Sequence, residues 1–136
     1  MNVDSCIFFQ LSNVSRLATR FLSQRVSGLN ITPVQALILG FLNDEDQITS
    51  GELGKKTDLD SATLTGILDR LEGAGLIERK GNPKDRRAIQ IHLTEKGRET
   101  GGDVVRTIKA ANVDFLKGLS ESEKQELMRL IGKIRS

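Results

Sequence analysis

Between residues 79 and 87, five cations (Arg79, Lys80, Lys84, Arg86 and Arg87) stand against one carboxylate, Asp85. This window carries a net +4, while the whole chain carries +2, so the remainder is at −2. Positive charge gathered into one short stretch of a nearly neutral chain points to a polyanionic partner more strongly than a high pI would. Just upstream, Leu64, Ile67, Leu68 and Leu71 fall on one stripe of a helix. At ~100° per residue the opposite face holds Ala62, Thr65, Gly66 and Asp69, flanked by Thr63 and Arg70. A face of small side chains lets a helix approach a major groove closely, and the hydroxyls of Ser61, Thr63 and Thr65 can bond base edges or phosphates. Arg70 can reach a phosphate or a guanine. Asp69 either accepts from a cytosine amine or braces an arginine. The competing description is a solvated helix face followed by a solvated basic turn.

Other chemistry is poorly supplied. His92 is the only histidine and Cys6 the only cysteine. They fall on different elements and make no metal-ligand set, so no metal or cofactor is expected. There is no nucleophile elbow, no phosphate-cradling glycine loop and no carboxylate dyad, so the chain is not expected to be an enzyme. No apolar run approaches the ~18 residues of a membrane span, and the start, MNVDSCIFFQL, lacks the basic n-region of a signal peptide. A lone cysteine forms no internal disulfide, and a reducing cytoplasm is the expected compartment.

The elements that must position the basic window follow from periodicity and caps. Residues 7–26 read as a helix with Ile7, Leu11, Val14, Ala18 and Phe21 on one stripe, stopped by Ser27-Gly28. Arg16, Arg20 and Arg25 lie off that stripe, as solvated positions would. Thr32-Pro33-Val34-Gln35 is a capping-box helix start with proline at the first helical position. Val34, Leu37, Ile38, Phe41 and Leu42 then give a mostly apolar, central helix ending at Asn43–Asp46. Ile48 predicts a short strand, and Thr49-x-x-Glu52 a capping box opening a short helix through Lys56. With the helix after Asp60, that makes a helix-turn-helix. Leu76–Arg79 and Ala88–Leu93 read as two strands around the turn Gly81-Asn82-Pro83-Lys84-Asp85, a hairpin with a basic tip. A long helix starts at Thr94, with Val104, Ile108, Ala111 and Phe115 on a coiled-coil-like seam. Gly101-Gly102 predicts a bend there and the close approach of another backbone. Ser120-x-x-Glu123 opens the last helix, striped by Leu127, Leu130, Ile131 and Ile134.

The fold class is therefore mainly α with a small β-hairpin wing. Residues 31–93 form a winged helix-turn-helix unit, and residues 1–30 and 94–136 a helical dimerisation region. A small winged module has too little core to bury the stripes of the terminal helices. Interleaving Ile7, Leu11, Val14, Val104, Ile108, Phe115, Leu127, Leu130, Ile131 and Ile134 with a second copy would bury them, the alternative being a monomer with a larger helical core.

The stretch from Thr57 to Glu99 resembles the winged-helix core of the MarR family of bacterial transcription regulators. The matching words are LTGILDRLE at Leu64–Glu72 and GLIERKGNPKDRRAIQIHLTEKGRE at Gly75–Glu99, with ITPVQALILGFL at Ile31–Leu42 similar to the family's central helix. The resemblance implies a homodimer that binds a pseudo-palindromic double-stranded operator. It also implies repression until a small molecule, of aromatic or phenolic type, or an oxidant alters the dimer's geometry. It places the family's Asp-x-Arg pair on Asp85 and Arg87, the arginine entering the minor groove while the aspartate holds it. Arg86 can exchange roles with Arg87, and Lys80 and Lys84 join them in neutralising the backbone. A ligand pocket between the first, second and fifth helices is also implied. Phe8, Phe9, Phe21 and Phe41 are its candidate lining, though core packing explains them equally well.

Cys6 sits near the start of the first helix, where amide N–H groups favour a thiolate. SCIFFQLS and DSATLT are similar to the hydroperoxide-sensing branch of the same family, although the tyrosines with which that branch surrounds its cysteine have no counterpart here. A redox-responsive repressor sensing through Cys6 is thus one alternative, against a thiol simply packed in an interface. A winged helix used for protein contacts is another. That module would normally carry an apolar patch where Thr65 and Gly66 stand, and would lack the basic wing.

Overall fold

The structure, a computed structural model, describes residues 1–82 and 84–136, with the backbone alone at Asn82, Arg86 and Arg87. In chain order the elements are α1 (Ile7–Val26), α2 (Pro33–Asp44), α3 (Ser50–Thr57), α4 (Ser61–Gly73), β1 (Ile77–Asn82), β2 (Asp85–Leu93), α5 (Glu95–Phe115) and α6 (Glu121–Arg135), with 3-10 turns at Val3–Ser5 and Ser27–Leu29.

Helix starts are set by side-chain caps, because the first N–H groups of a helix have no partner within it. Thr32 accepts the Gln35 amide at 3.3 Å and the Gln35 side chain accepts the Thr32 amide at 3.0 Å. Ser120 and Glu123 make the same reciprocal pair at α6. At α3 the expected box is half made: Thr49 accepts the Glu52 amide at 3.1 Å, and Glu52 returns no bond to Thr49.

One core runs from α1 to α5. It joins Val26, the α2 residues Ala36, Ile38, Leu39 and Leu42, Leu53 of α3, the α4 stripe, Leu76, Ile77, Ile91 and Leu93 of the hairpin, and Val104 of α5. The helix after Thr32 is central, as its composition predicts, and Ile38 and Leu42 are buried, although not every apolar residue of the helix faces the core. Ala36 and Leu39 are fully buried, while Val34 and Leu37 are 37% and 44% exposed. An apolar helix has too little polar contrast to reveal which side faces in.

The α5 seam also differs from expectation. Val104, assigned to an interface between copies, is wholly buried within its own chain, and Ala111 nearly so. Ile108 packs against the same core, and the Phe115 ring meets Phe21 edge-on at 5.3 Å. Arg25, exposed as expected, also bridges the same two helices. It pairs with Asp114 at 2.7 Å and lies 4.5 Å over the Phe21 ring. The seam on α5 therefore closes on α1 and α2 of the same chain. Gly101 meets Asn43 and the Leu39 carbonyl of α2, so the close approach expected at this glycine pair is realised in a continuous helix.

The hairpin is antiparallel, pairing Ile77 with Leu93 and Arg79 with Ile91, with a register shift at Gly81/Asn82. Its strands are longer than predicted, so Lys80, Arg86 and Arg87 belong to strands rather than to the turn. Pro83 of the expected turn lies outside the described residues. The short strand expected at Ile48 is a single bridge: Thr49 pairs with Gln90, and the Ile48 carbonyl accepts the Ile91 amide at 2.8 Å.

The junction of hairpin and α5 is closely packed. The Thr94 hydroxyl accepts the Gly97 amide at 2.9 Å and donates to the Gly75 carbonyl at 2.6 Å, and the Lys96 ammonium donates to the Ala74 carbonyl at 3.0 Å. A Cβ at residue 97 would fall 1.9 Å from the Leu76 carbonyl oxygen. Gly97 is therefore required by a backbone contact.

Gly97→Ala is expected to destabilise the fold by about 3 kcal/mol, at the upper end of overpacking changes, because the obstacle is backbone. Gly66→Ala, where nothing lies within 4 Å of the added methyl, should stabilise by roughly 0.5–1 kcal/mol. Urea unfolding midpoints of the two variants would move in opposite directions; a shift of the same sign in both would contradict this account.

Candidate nucleic-acid interface

α4 is presented outward by its own first turn. Asp60 is its N-cap, with the carboxylate accepting the Thr63 amide and the Thr63 hydroxyl, each at 2.8 Å. These two bonds, the amide first, hold the Asp60 carboxyl below the ordinary aspartate range. From there Leu64, Ile67, Leu68 and Leu71 are buried, and Ser61, Ala62, Thr63, Thr65, Gly66, Asp69 and Arg70 are exposed. The two sides of the helix separate as its periodicity predicts. Two hydroxyl protons are already committed, however. Thr63 donates to its cap, and Thr65 donates to the Ser61 carbonyl at 2.8 Å. Toward a base, both threonines therefore present oxygen acceptors unless the hydroxyl rotates away from its local partner.

The two carboxylates on the outer half of α4 have a partner. Arg79 of β1 reaches back across the wing root to Asp69 at 2.5 Å and to Glu72 at 3.2 Å. Asp69, left open by the sequence between accepting from a cytosine and bracing an arginine, braces an arginine. Arg79, counted with the wing cations, points into the reading helix. The Glu72 carboxyl is held below the ordinary glutamate range, chiefly by the Arg79 side-chain bond, and Arg79 is correspondingly held more firmly protonated.

Lys80 is exposed and 3.6 Å from Glu78 of its own strand. A surface pair of this kind is worth little and yields readily to a phosphate. Lys84 and Asp85 are exposed as well. The side chains of Arg86 and Arg87 lie outside the described residues.

A concavity of about 340 Å³ between α3 and α4 is lined by Ser50, Gly51, Lys55, Ser61, Leu64 and Thr65 among others. Lys55 was not singled out by the sequence reading. Its position on the first helix of a helix-turn-helix was the available signal. Neighbouring Lys56 is engaged by Glu45 at 2.5 Å, and this bond raises the lysine's pKa.

Elsewhere, Cys6 is half-buried at the N-cap of α1 and makes no side-chain cap bond. Phe41 lines a cavity of about 250 Å³ between α2 and α5, together with Leu37, Gly40, Asp44, Val105, Ile108 and Lys109. Phe21 is not among its lining residues and packs on Phe115, while Phe8 is 77% exposed and Phe9 43%. Among the described residues no cluster of metal-ligating side chains occurs, and no single helix is long and apolar enough to cross a membrane.

The arrangement is a small-faced helix held beside a basic hairpin. A family model described as MarR family matches residues 29–88. MgrA of Staphylococcus aureus, an HTH-type transcriptional regulator, is 31% identical over 134 residues, covering 98% of this chain and 90% of the relative. The chain belongs to the MarR family. Its members are transcription regulators and not enzymes, and this chain is a DNA-binding regulator of that winged-helix type. A probable transcriptional regulator from Pseudomonas aeruginosa superposes with a TM-score of 0.91 at 27% identity, covering 98% of this chain and 99% of that one. A mutant MarR from E. coli complexed with operator DNA superposes with a TM-score of 0.85 at 29% identity, covering 92% and 90%. In this MarR-family chain, α3 and α4 form the helix-turn-helix and the β1–β2 hairpin is the wing.

The cap of α4 gives a pH prediction. A carboxyl whose folded pKa is depressed stabilises the fold above its unfolded pKa, near 3.9 for aspartate, and loses that contribution as pH falls through the lower folded value. Asp60→Asn keeps a capping oxygen but not the titration. Its unfolding midpoint should therefore fall less steeply than the wild type's between pH 5 and pH 3 (roughly the carboxylate range). Parallel curves in urea melts across that range would contradict the assignment.

Proposed function

We propose that this chain is a cytoplasmic repressor that binds a pseudo-palindromic operator as a homodimer and is released by a small aromatic or phenolic ligand. The observation that carries the reading is the exposed small face of α4, from Ser61 to Arg70, held beside the cationic wing. Major-groove contacts come from Ser61, Ala62, Thr63, Thr65, Gly66 and Arg70. Backbone and minor-groove contacts come from Lys80, Lys84, Arg86 and Arg87, with Asp85 orienting Arg87.

The homodimer is supported by apolar surface that the single chain leaves open. Ile7, Leu11 and Val14 of α1 are 54%, 47% and 50% exposed, and Leu130, Ile131 and Ile134 of α6 are 43%, 38% and 67% exposed. α6 contributes no buried residue at all. A 15-residue helix is marginal on its own in water, so its apolar stripe needs a partner surface. In this reading residues 1–30 and 94–136 hold the dimer and residues 31–93 read DNA, although Val104 serves the chain's own core. The cavity between α2 and α5 is apolar with one aspartate and one lysine at its edge. That lining suits a small aromatic molecule with a polar substituent.

Selection of bound duplexes from a random pool tests the reading directly. The expected product is a two-fold symmetric site with half-sites about one helical turn apart; an asymmetric consensus would count against the dimer. On that site Arg87→Ala should weaken binding at least about tenfold, within the range for one arginine contact. The protein should still sediment as a dimer. Leu11→Glu should instead lower the sedimenting mass toward that of one chain.

A further inference from the structure

We infer that Arg79, Asp69 and Glu72 form a positioning clamp that fixes the wing root against the recognition helix, so that Arg79 is not a phosphate ligand and Asp69 is not a base reader. The inference rests on the DNA-reading assignment made above and adds to it how the two reading elements are kept at one setting.

The geometry is specific. Guanidinium Nη2 donates to Asp69 Oδ1 at 2.5 Å and to Glu72 Oε1 at 3.2 Å, and Nε donates to Glu72 Oε2 at 3.2 Å. The Arg79 backbone N–H donates to the same Oε2 at 3.2 Å. That backbone bond has a cause in the sheet. Ile91, paired with Arg79, sends its own N–H outward to the Ile48 carbonyl. The pair is therefore the one in which neither residue bonds the other, and the Arg79 N–H points off the sheet edge toward α4. Glu72 takes up both this edge donor and the side chain.

The electrostatics agree. Asp69 and Glu72 are two negative charges on the exposed side of a helix that must approach phosphates. Arg79 reduces their sum from −2 to −1 and occupies the lone pairs that face the wing. Its side chain is only 25% exposed, against 57% and 42% for the carboxylates. The guanidinium is thus the innermost member of the group. In solvent such a network is weak. Docking on DNA removes water from it and raises the local interaction strength.

The test uses four full-length proteins: wild type, Arg79→Gln, the double variant Asp69→Asn with Glu72→Gln, and the triple variant, each checked for folding by circular dichroism. Operator affinity is measured over a series of salt concentrations. The clamp predicts that Arg79→Gln weakens binding about tenfold, a change of about 1.4 kcal/mol, with an unchanged salt slope. The carboxylate variant should weaken binding similarly, and the triple variant no further than the weaker of the two. A slope smaller by about 0.9 in Arg79→Gln would make it a phosphate ligand and overturn the inference. Tighter binding by the carboxylate variant would also overturn it, since relief of repulsion would then dominate. In protein free of DNA, carbon NMR of the Glu72 carboxyl should show a titration below the ordinary glutamate value that returns toward it in Arg79→Gln. A titration indifferent to Arg79→Gln removes the clamp whatever the DNA result. Wild-type protein that shows the shifted titration but binds no duplex at low salt overturns the DNA-reading assignment instead, and the clamp's role with it.

Discussion

The carbonyl oxygen of Leu76 occupies the space where a side chain at residue 97 would stand. Much of the molecule's arrangement depends on that one approach. It brings the first turn of α5 onto the segment between the recognition helix and the wing, where Thr94 and Lys96 then tie down the carbonyls of Gly75 and Ala74. Three elements with different tasks thereby share one junction: α4 ends there, β1 begins there, and α5 leaves from there toward α1 and α2. A displacement of α5 cannot be absorbed locally, because the contact is backbone against backbone with no flexible side chain between them. Packed junctions of this type change by rigid shifts rather than by gradual deformation. A ligand in the α2–α5 cavity would therefore act on the reading head through geometry rather than through charge.

The reading head itself is economical in donors. Thr63 and Thr65 direct their hydroxyl protons to Asp60 and to the Ser61 carbonyl, and Asp69 is occupied by Arg79. In the proposed reading, what is left to face the groove is the Ser61 hydroxyl, the threonine oxygens and Arg70. The space left by Ala62 and Gly66 matters as much as any bond, because closeness of approach decides whether short side chains reach base edges at all. In the proposed interface the same residue, Gly66, lowers helix stability and favours close approach. An alanine there improves the helix and adds a methyl to the face that must enter the groove.

Much of this was legible in the sequence because helices announce themselves through caps and stripes. The α4 stripe Leu64, Ile67, Leu68 and Leu71, the Thr32 and Ser120 caps, and the basic hairpin all follow from local pattern. The failures share one physical cause: periodicity gives a face but not the partner of that face. Val104 shares coiled-coil spacing with Ile108 and Phe115, yet it is wholly buried within its own chain, while the other two keep part of their surface open. On α2, apolar residues surround the helix, so Val34 and Leu37 could not be distinguished from Ala36 and Leu39. The partner of Arg79 was not visible in the charge count of residues 79–87, because composition counts charge without regard to direction. A cation with two carboxylates on the preceding helix, at positions 69 and 72, was already a candidate for an internal network. The constraint on Gly97 has no signature in its sequence neighbours, because the carbonyl it meets comes from twenty-one residues upstream.

The terminal helices show how stability and function become linked. The outer halves of α1 and α6 leave apolar side chains in water, while the inner end of α1 is fixed to α5 by Phe21 on Phe115 and by Arg25 with Asp114. α6 is joined back to the helix-turn-helix by an ion pair between Arg135 and Asp58, both exposed. An exposed pair holds a helix weakly, so α6 takes its position from whatever covers its stripe. In the proposed dimer that cover is the second copy. The separation of the two recognition helices is then set by helices that the single chain does not stabilise. Folding of the termini and spacing of the reading heads become one equilibrium, dependent on protein concentration as obligate dimers are. A ligand needs to favour one packing of those helices over another by only a few kcal/mol to change operator affinity substantially. The chain is suited to this because its interior is continuous from Val26 to Val104, whereas α6 and the N-terminal half of α1 contribute no buried residue to it.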